Sequence, residues 1–239
     1  MLLPLVKYNI NYYIKSAKYL PPVIIFVAFI GIMYQTRPIG IWSNLHVTAV
    51  ALFIFASWIA ATFVNSEDKT QQYITMLHVK NETKYHLAKI ISIMMFLIPF
   101  FVFIFLLPAA GGFFARNLLA SEVIVYLAVY FLVCLMGVGM GIFFNSHILP
   151  GEMGVLVHFV AIIVAVLPFN VIFADIPLVV FANHLLPPIN FLADRLHNLG
   201  EDIFVIDLMF WGFVAWTLGY ALLLMVGYCA LVQWRNKLQ

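Results

Sequence analysis

The chain has 239 residues, of which 65% are hydrophobic and only 9% charged, and its formal net charge is +2. An ordinary soluble domain is about half apolar and a quarter charged, and its outside must still face water. The composition therefore excludes a water-soluble globule and points to lipid as the second solvent, while so small a charge gives no footing for a nucleic-acid binder.

The first nineteen residues predict an amphipathic helix. Lys7, Asn11, Lys15 and Lys18 recur at steps of four, four and three, which makes one face polar. Leu3, Val6, Ile10 and Ala17 take the opposite side, with Tyr13 and Ile14 near them. Such a helix lies in the membrane interface with its lysines toward the headgroups. It serves as a plain anchor, or as an anchor that also packs on a cytoplasmic partner.

Six apolar stretches follow at the length, about 20 residues, that crosses a hydrocarbon core of about 30 Å. They run over 20–34, 45–64, 90–110, 123–144, 155–181 and 203–232. The first is the shortest and opens on Pro21-Pro22, which suits a first helical turn. Lysines precede it as in a secretory signal, but it leaves through Met33-Tyr34-Gln35-Thr36-Arg37 with no small-residue cleavage site, so it reads as a retained span.

Basic residues orient the spans. Lys7, Lys15 and Lys18 precede span one, Lys69, Lys80, Lys84 and Lys89 lie between spans two and three, and Arg235 and Lys237 follow span six. Only Arg37, Arg116 and Arg195 fall on the other side. The positive-inside rule places both termini in the cytoplasm, and an even number of spans requires both on one side. The expectation is an all-α, multi-pass protein of the plasma membrane, with residues 1–239 forming one transmembrane domain.

The segment from Asn65 to Lys89 is the most hydrophilic of the chain and too long for a hairpin. Its centre reads as a short cytoplasmic helix with Tyr73, Met76, Leu77 and Lys80 along one face. Glu67 and Asp68 sit at its start, where the helix dipole favours negative charge. An apolar stripe on a cytoplasmic helix has to be buried somewhere, and the chain has no cytoplasmic domain of its own to cover it. The shorter loop from Asn145 to Glu152 lies on the same side, as a second small contact or a tight connection.

Span four carries Gly137 and Gly141 as a GxxxG pair, with Gly139 between them, which speaks to close helix packing. Pro168 and Asn170 interrupt span five, and Asp175 and Pro177 follow. Broken backbone survives in lipid only against protein or a water-filled cavity, so 155–181 reads as a helix and a re-entrant return. The segment from Asn183 to Asp202 reads as short helices on the outer surface.

Motifs for chemistry are absent from the sequence. It has no GxxxxGK[ST] phosphate loop, no HExxH, no CxxC and no GxSxG. Its seven histidines (46, 78, 86, 147, 158, 184, 197) do not fall at metal-ligand spacing, and Cys134 and Cys229 lie within apolar runs. His46 and His158 read as polar groups satisfied at helix contacts. Asp175, Asp207 and Glu122 lie near the ends of spans rather than at the midplane, which counts against ion coupling and suits an apolar pathway.

In layout the chain resembles the permease subunits of ABC-2-type transporters. The local match runs from Glu67-Asp68-Lys69-Thr70 through Met76-Leu77, then Tyr85-His86-Leu87-Ala88-Lys89. Lys69 stands where such permeases usually have glycine, and His78-Val79 where they usually have proline. More loosely, the small size and apolar lining resemble the permeases of phenol-soluble-modulin peptide-toxin exporters. The resemblance implies half of a transporter that moves an amphipathic or hydrophobic substrate outward, a peptide ahead of a lipid-like compound or drug. A second permease copy or relative would complete the membrane part. A separate ATP-binding cassette subunit would hold ATP and Mg, and this chain would bind no cofactor or metal and would not itself be an enzyme. By the same resemblance Lys69, Thr70, Tyr73, Met76, Leu77, His78 and Val79, with Glu152 from the shorter loop, would meet the ATPase subunit. Phe26, Phe29 and Ile30 of span one and Phe169 and Asn170 of span five would serve the dimer contact or the cargo path. The alternatives are an ion-coupled secondary transporter or channel, which needs internal repeats and midplane polar residues, and an intramembrane enzyme, which needs a polar constellation within the spans.

Overall fold

Helices form wherever the apolar stretches run, and the breaks between them have local causes. The computed structural model describes residues 2–35, 37–145, 152–166, 189 and 208–236. Within these the helices are α1 (Leu2–Ser16), α2 (Leu20–Met33), α3 (Ile41–Val64), α4 (Lys69–Val79), α5 (Glu82–Ala110), α6 (Ala120–Gly141), α7 (Glu152–Val166) and α8 (Leu208–Asn236). A short 3-10 turn, Ile142–Phe144, continues α6. Among the described residues there is no strand, only an isolated bridge between Ile39 and Phe114.

The prolines at 21 and 22 occupy the first turn of α2, where a missing N–H leaves no bond unmade. Before them Ala17 takes the left-handed conformation, φ 56°, and α1 turns into α2 through 80°. A second left-handed residue, Lys80 at φ 55°, closes α4. Asn81 then caps α5, its side chain accepting the Lys84 N–H at 2.9 Å. That cap starts the third span at Glu82 rather than at Ile90. At the far end Glu122 accepts the Leu119 N–H at 2.8 Å and pairs with Arg116 through both guanidinium nitrogens, at 2.6 and 2.9 Å.

Four helices, α3, α5, α6 and α8, are long and apolar enough to cross a membrane, and the α1–α2 pair, bent by 80°, adds a fifth if it is counted as one broken span. The expectation of six spans is thus met by four or five among the described residues. α2, with 14 residues, rises only about 21 Å. α7 has 15 residues. The break at Pro168 and Asn170, the return to Phe181 and, apart from Ile189, the outer segment 183–202 lie outside the described residues.

The core is the α3–α6 pair. These helices run parallel in one constant register: Thr48 opposite Tyr130, with their hydroxyls 2.7 Å apart, and Gly137 against Phe53 and Ala56. Gly141 sits against Ser57 and Ala60. Lipid supplies no hydrophobic drive between helices, so small residues that let backbones approach are what hold such a pair. Gly139 faces the other way, onto Leu224 of α8. The GxxxG pair therefore serves packing, and α3 is its partner. α2 runs antiparallel to α3, stacking Phe26 on Phe55 at 4.3 Å. α7 also meets α3, placing His158 Nε2 2.8 Å from Ser57 Oγ. This is the satisfied helix-contact histidine expected from the sequence.

α1 departs from its expected face. Val6, Asn9 and Tyr13 are its buried residues, packed on α5, while Leu3 and Ile14 are exposed. Its lysines at 7 and 15 stay on the exposed side. The helix thus has three sectors rather than two: a stripe packed on protein, an exposed apolar side and an exposed side with the lysines.

Candidate functional site

The largest departure from lipid chemistry lies where α4 joins the bundle. Both described ends of the chain gather there: Tyr8 of α1 receives a hydrogen bond from Gln71 Nε2 at 3.1 Å, and Gln233 of α8 donates to Thr83 of α5 at 2.7 Å. α4 rests on this base through Gln72, which is buried and donates to the Glu67 carbonyl at 2.9 Å.

Beneath α4 lies a buried ionic cluster. Lys89 Nζ sits 2.9 Å from Glu67 Oε2. The Tyr85 hydroxyl donates to the same oxygen at 2.6 Å, and the ammonium lies 4.9 Å from the Tyr85 ring centroid. Burial by itself pushes the Glu67 carboxyl up. The Lys89 charge and the hydrogen bonds from Tyr85 and Lys89 more than offset it, so the group is held below the usual carboxylate range. The sequence reading placed Glu67 as a dipole charge at the helix start and Lys89 as a topological marker. The structure joins them across the loop instead, and only Asp68 keeps the position before the first turn, without a side-chain cap. Tyr85 and Lys89, one turn apart and facing the same way, were the available signal.

Neighbouring polar pairs extend the base. Tyr13 of α1 meets Thr62 of α3, oxygen to oxygen at 2.7 Å, and packs on Phe63 and Phe96. Tyr228 of α8 accepts from Asn145 Nδ2 at 3.1 Å and lies 3.3 Å from His86 Nδ1. A displacement of α4 would reach α1, α3 and α5 directly, and α8 through α5.

The outer side of α4 is different. Tyr73, Ile74 and Leu77 are exposed, Leu77 to 74%, and Thr70 and His78 join them. Met76 and Val79 are half-buried at the edge. Ile74, absent from the stripe expected from the sequence, belongs to the exposed face. His78 Nδ1 lies 2.8 Å from the Ile74 carbonyl, which the ring engages as a donor within the helix. Where α4 turns into α5, Tyr73, Met76, Leu77, Lys80, Asn81 and Glu82 line a crevice of about 400 Å³. Lys69 opens α4 and Glu152 opens α7.

The residues expected on the dimer contact or path divide. Phe26 and Ile30 turn inward and are buried, while Phe29 is exposed at 40%. Phe169 and Asn170 lie outside the described residues. Among the described residues no group of three or more His, Cys, Asp or Glu could hold a metal ion.

The chain matches no protein-family model, no curated protein and no solved structure at a significant level.

Proposed function

We propose that the chain is a membrane subunit of an ATP-driven exporter, working with a separate ATP-binding cassette subunit and a second permease. The observation that carries this reading is α4: a short helix seated beside a buried ion pair on one side and leaving Tyr73, Ile74 and Leu77 exposed on the other. A helix of this kind gains nothing by exposing apolar side chains unless another protein covers them. An ATPase subunit on the crevice beside Leu77 would push on a base tied to α1, α3 and α5. Thr70, His78 and Val79 would border the contact, with Lys69 at its start and Glu152 nearby. Phe29, exposed on α2, would face the partner permease or the cargo.

The cargo is amphipathic or hydrophobic, with a peptide foremost. Support comes from the middle of the spans, where among the described residues the paired polar groups are hydroxyls, amides and a histidine, while the ion pairs of Lys89 and Glu122 lie near span ends. Both described ends of the chain and α4 share one end of the bundle, which in this reading is the cytoplasmic end at the plasma membrane.

The test is co-purification with the ATP-binding subunit and measurement of ATP hydrolysis by the reconstituted complex. Leu77→Asp is expected to weaken that association about 30-fold or more, as loss of a central apolar contact does. The fold should stay unchanged, because Leu77 touches little of its own chain. Transport by this chain alone, without any ATPase, sinks the proposal.

A further inference from the structure

α3 and α7 contact each other at Ser57 and His158, and beside that contact they leave a groove of about 410 Å³. Ile54, Trp58, Phe159 and Ile163 line its body, and Lys18 and Asn65 stand at its mouth, at the α4 end. Phe159 and Ile163 are exposed at 47% and 57%, so the groove opens sideways to lipid. From Ile54 to Asn65 the α3 wall rises about 16 Å. That is close to half of a hydrocarbon core of about 30 Å, the depth of one leaflet.

The polar groups along this wall are already satisfied. Ser57 pairs with His158, Thr62 pairs with Tyr13, and Asn65 Nδ2 donates to the carbonyls of Ala61 and Phe144 at 2.8 and 2.7 Å. An extended peptide would find no partners there for its backbone groups, at a depth where unmade bonds are expensive. The body of the occupant is therefore apolar. At the mouth the chemistry reverses. The sharp turn at Ala17 sets Lys18 at the corner between α1 and α2, and Nζ donates one hydrogen to the Asn65 carbonyl at 2.8 Å. An ammonium carries three donors, which leaves two for an anion at headgroup level. Among the described residues lining the groove, Lys18 is the one Lys, Arg, Asp or Glu.

We infer that this groove binds one anionic phospholipid from the leaflet on the α4 side, with an acyl chain along Ile54, Trp58 and Ile163 and the phosphate on Lys18. The inference needs only that the bundle sits in a membrane, and it stands or falls apart from the exporter reading.

Native mass spectrometry of the full chain in detergent tests it, with phosphatidylglycerol and phosphatidylcholine of matched chains as probes. One phosphatidylglycerol per chain is expected to be retained in preference to phosphatidylcholine. Lys18→Gln should cut that retention about fivefold, the effect of one lysine near an anionic headgroup. Lys15→Gln, on the same helix but away from the groove, should leave it unchanged. Ile163→Trp fills the groove from an exposed position and should remove the bound lipid whatever its headgroup, and Val155→Trp, also exposed and lining the groove, repeats the test at a second site. Helicity and monodispersity are checked for each variant. Equal retention of the two lipids, or equal losses with Lys15→Gln and Lys18→Gln, overturns the headgroup assignment. An unchanged lipid count in both tryptophan variants overturns the groove.

Discussion

Lys89→Met is expected to destabilise the protein by about 3–5 kcal/mol, the usual cost of removing one partner of a buried ion pair. The side chains of Lys89 and Glu67 are only 4% and 2% exposed, so neither can fall back on water. Methionine keeps much of the volume, so the loss comes from the stranded carboxylate rather than from a cavity. The double variant Glu67→Gln with Lys89→Met is expected to recover most of it. The glutamine amide oxygen still accepts the Tyr85 hydroxyl, and no charge is left behind. Replacing a whole buried pair by neutral groups is often neutral or better. Unfolding midpoints in detergent decide the matter: a double variant no more stable than Lys89→Met would show that the charges are not what holds α4 down.

The same pair sets a pH dependence. The folded Glu67 carboxyl titrates below its unfolded value, so its contribution is fully present above the unfolded pKa, about 4.3. It is lost as pH falls through the lower folded value. Stability is thus expected to stay level from neutrality to about pH 5 and to fall in more acidic buffer. Glu67→Gln should flatten part of that fall when unfolding is measured across the range.

Much of the architecture was legible because lipid is a simple solvent. Apolar length reveals a span, and Pro21-Pro22 and the hydrophilic run after Val64 reveal where helices begin and what lies outside. Partner choice was less legible. Gly137 and Gly141 announce a close contact but not with which helix, and only the fold shows that they meet Phe53 and Ser57 of α3. In α1 the periodicity of Leu3, Val6 and Ile10 describes an apolar side without saying whether lipid or protein covers it, and the protein-facing stripe turned out to include Asn9. Asn9 is polar yet sits on the buried stripe, where Ser92 of α5 lies 3.5 Å from its amide nitrogen. The ionic cluster was hidden for a related reason. Glu67 and Lys89 have ordinary surface roles in a hydrophilic loop, and their burial depends on α1 and α4 closing over them. On α4 the exposed residues include Tyr73 and Leu77 of the expected stripe and add Ile74.

Gly141→Ala tests the core from the other direction. A methyl group at this position would overlap the Ser57 carbonyl oxygen and come within 2.7 Å of the Ala60 methyl. The first obstacle is backbone inside a helix, which cannot turn aside as a side chain can. To admit the methyl, α3 and α6 must separate along a register that runs from Tyr130 and Thr48 to Gly141 and Ser57, loosening buried contacts over the whole length. Overpacking of this kind costs about 1–3 kcal/mol where side chains can shift, and here the upper end or beyond is expected. Ala60→Gly should not rescue it, since it removes only the lesser contact. Gly137→Ala should behave similarly, with the Phe53 carbonyl at 2.8 Å from the new carbon. Gly219 of α8 supplies the contrast. Nothing lies within 4 Å of a carbon added there, so Gly219→Ala should be neutral or stabilising by up to about 1 kcal/mol from helix propensity. Unfolding midpoints for the four variants separate the two explanations of a glycine-rich span. If Gly141→Ala and Gly219→Ala behave alike, the glycines matter only for flexibility; a large loss confined to positions 137 and 141 means that α3 and α6 are held by close approach, and that any movement driven through α4 carries the pair as one body.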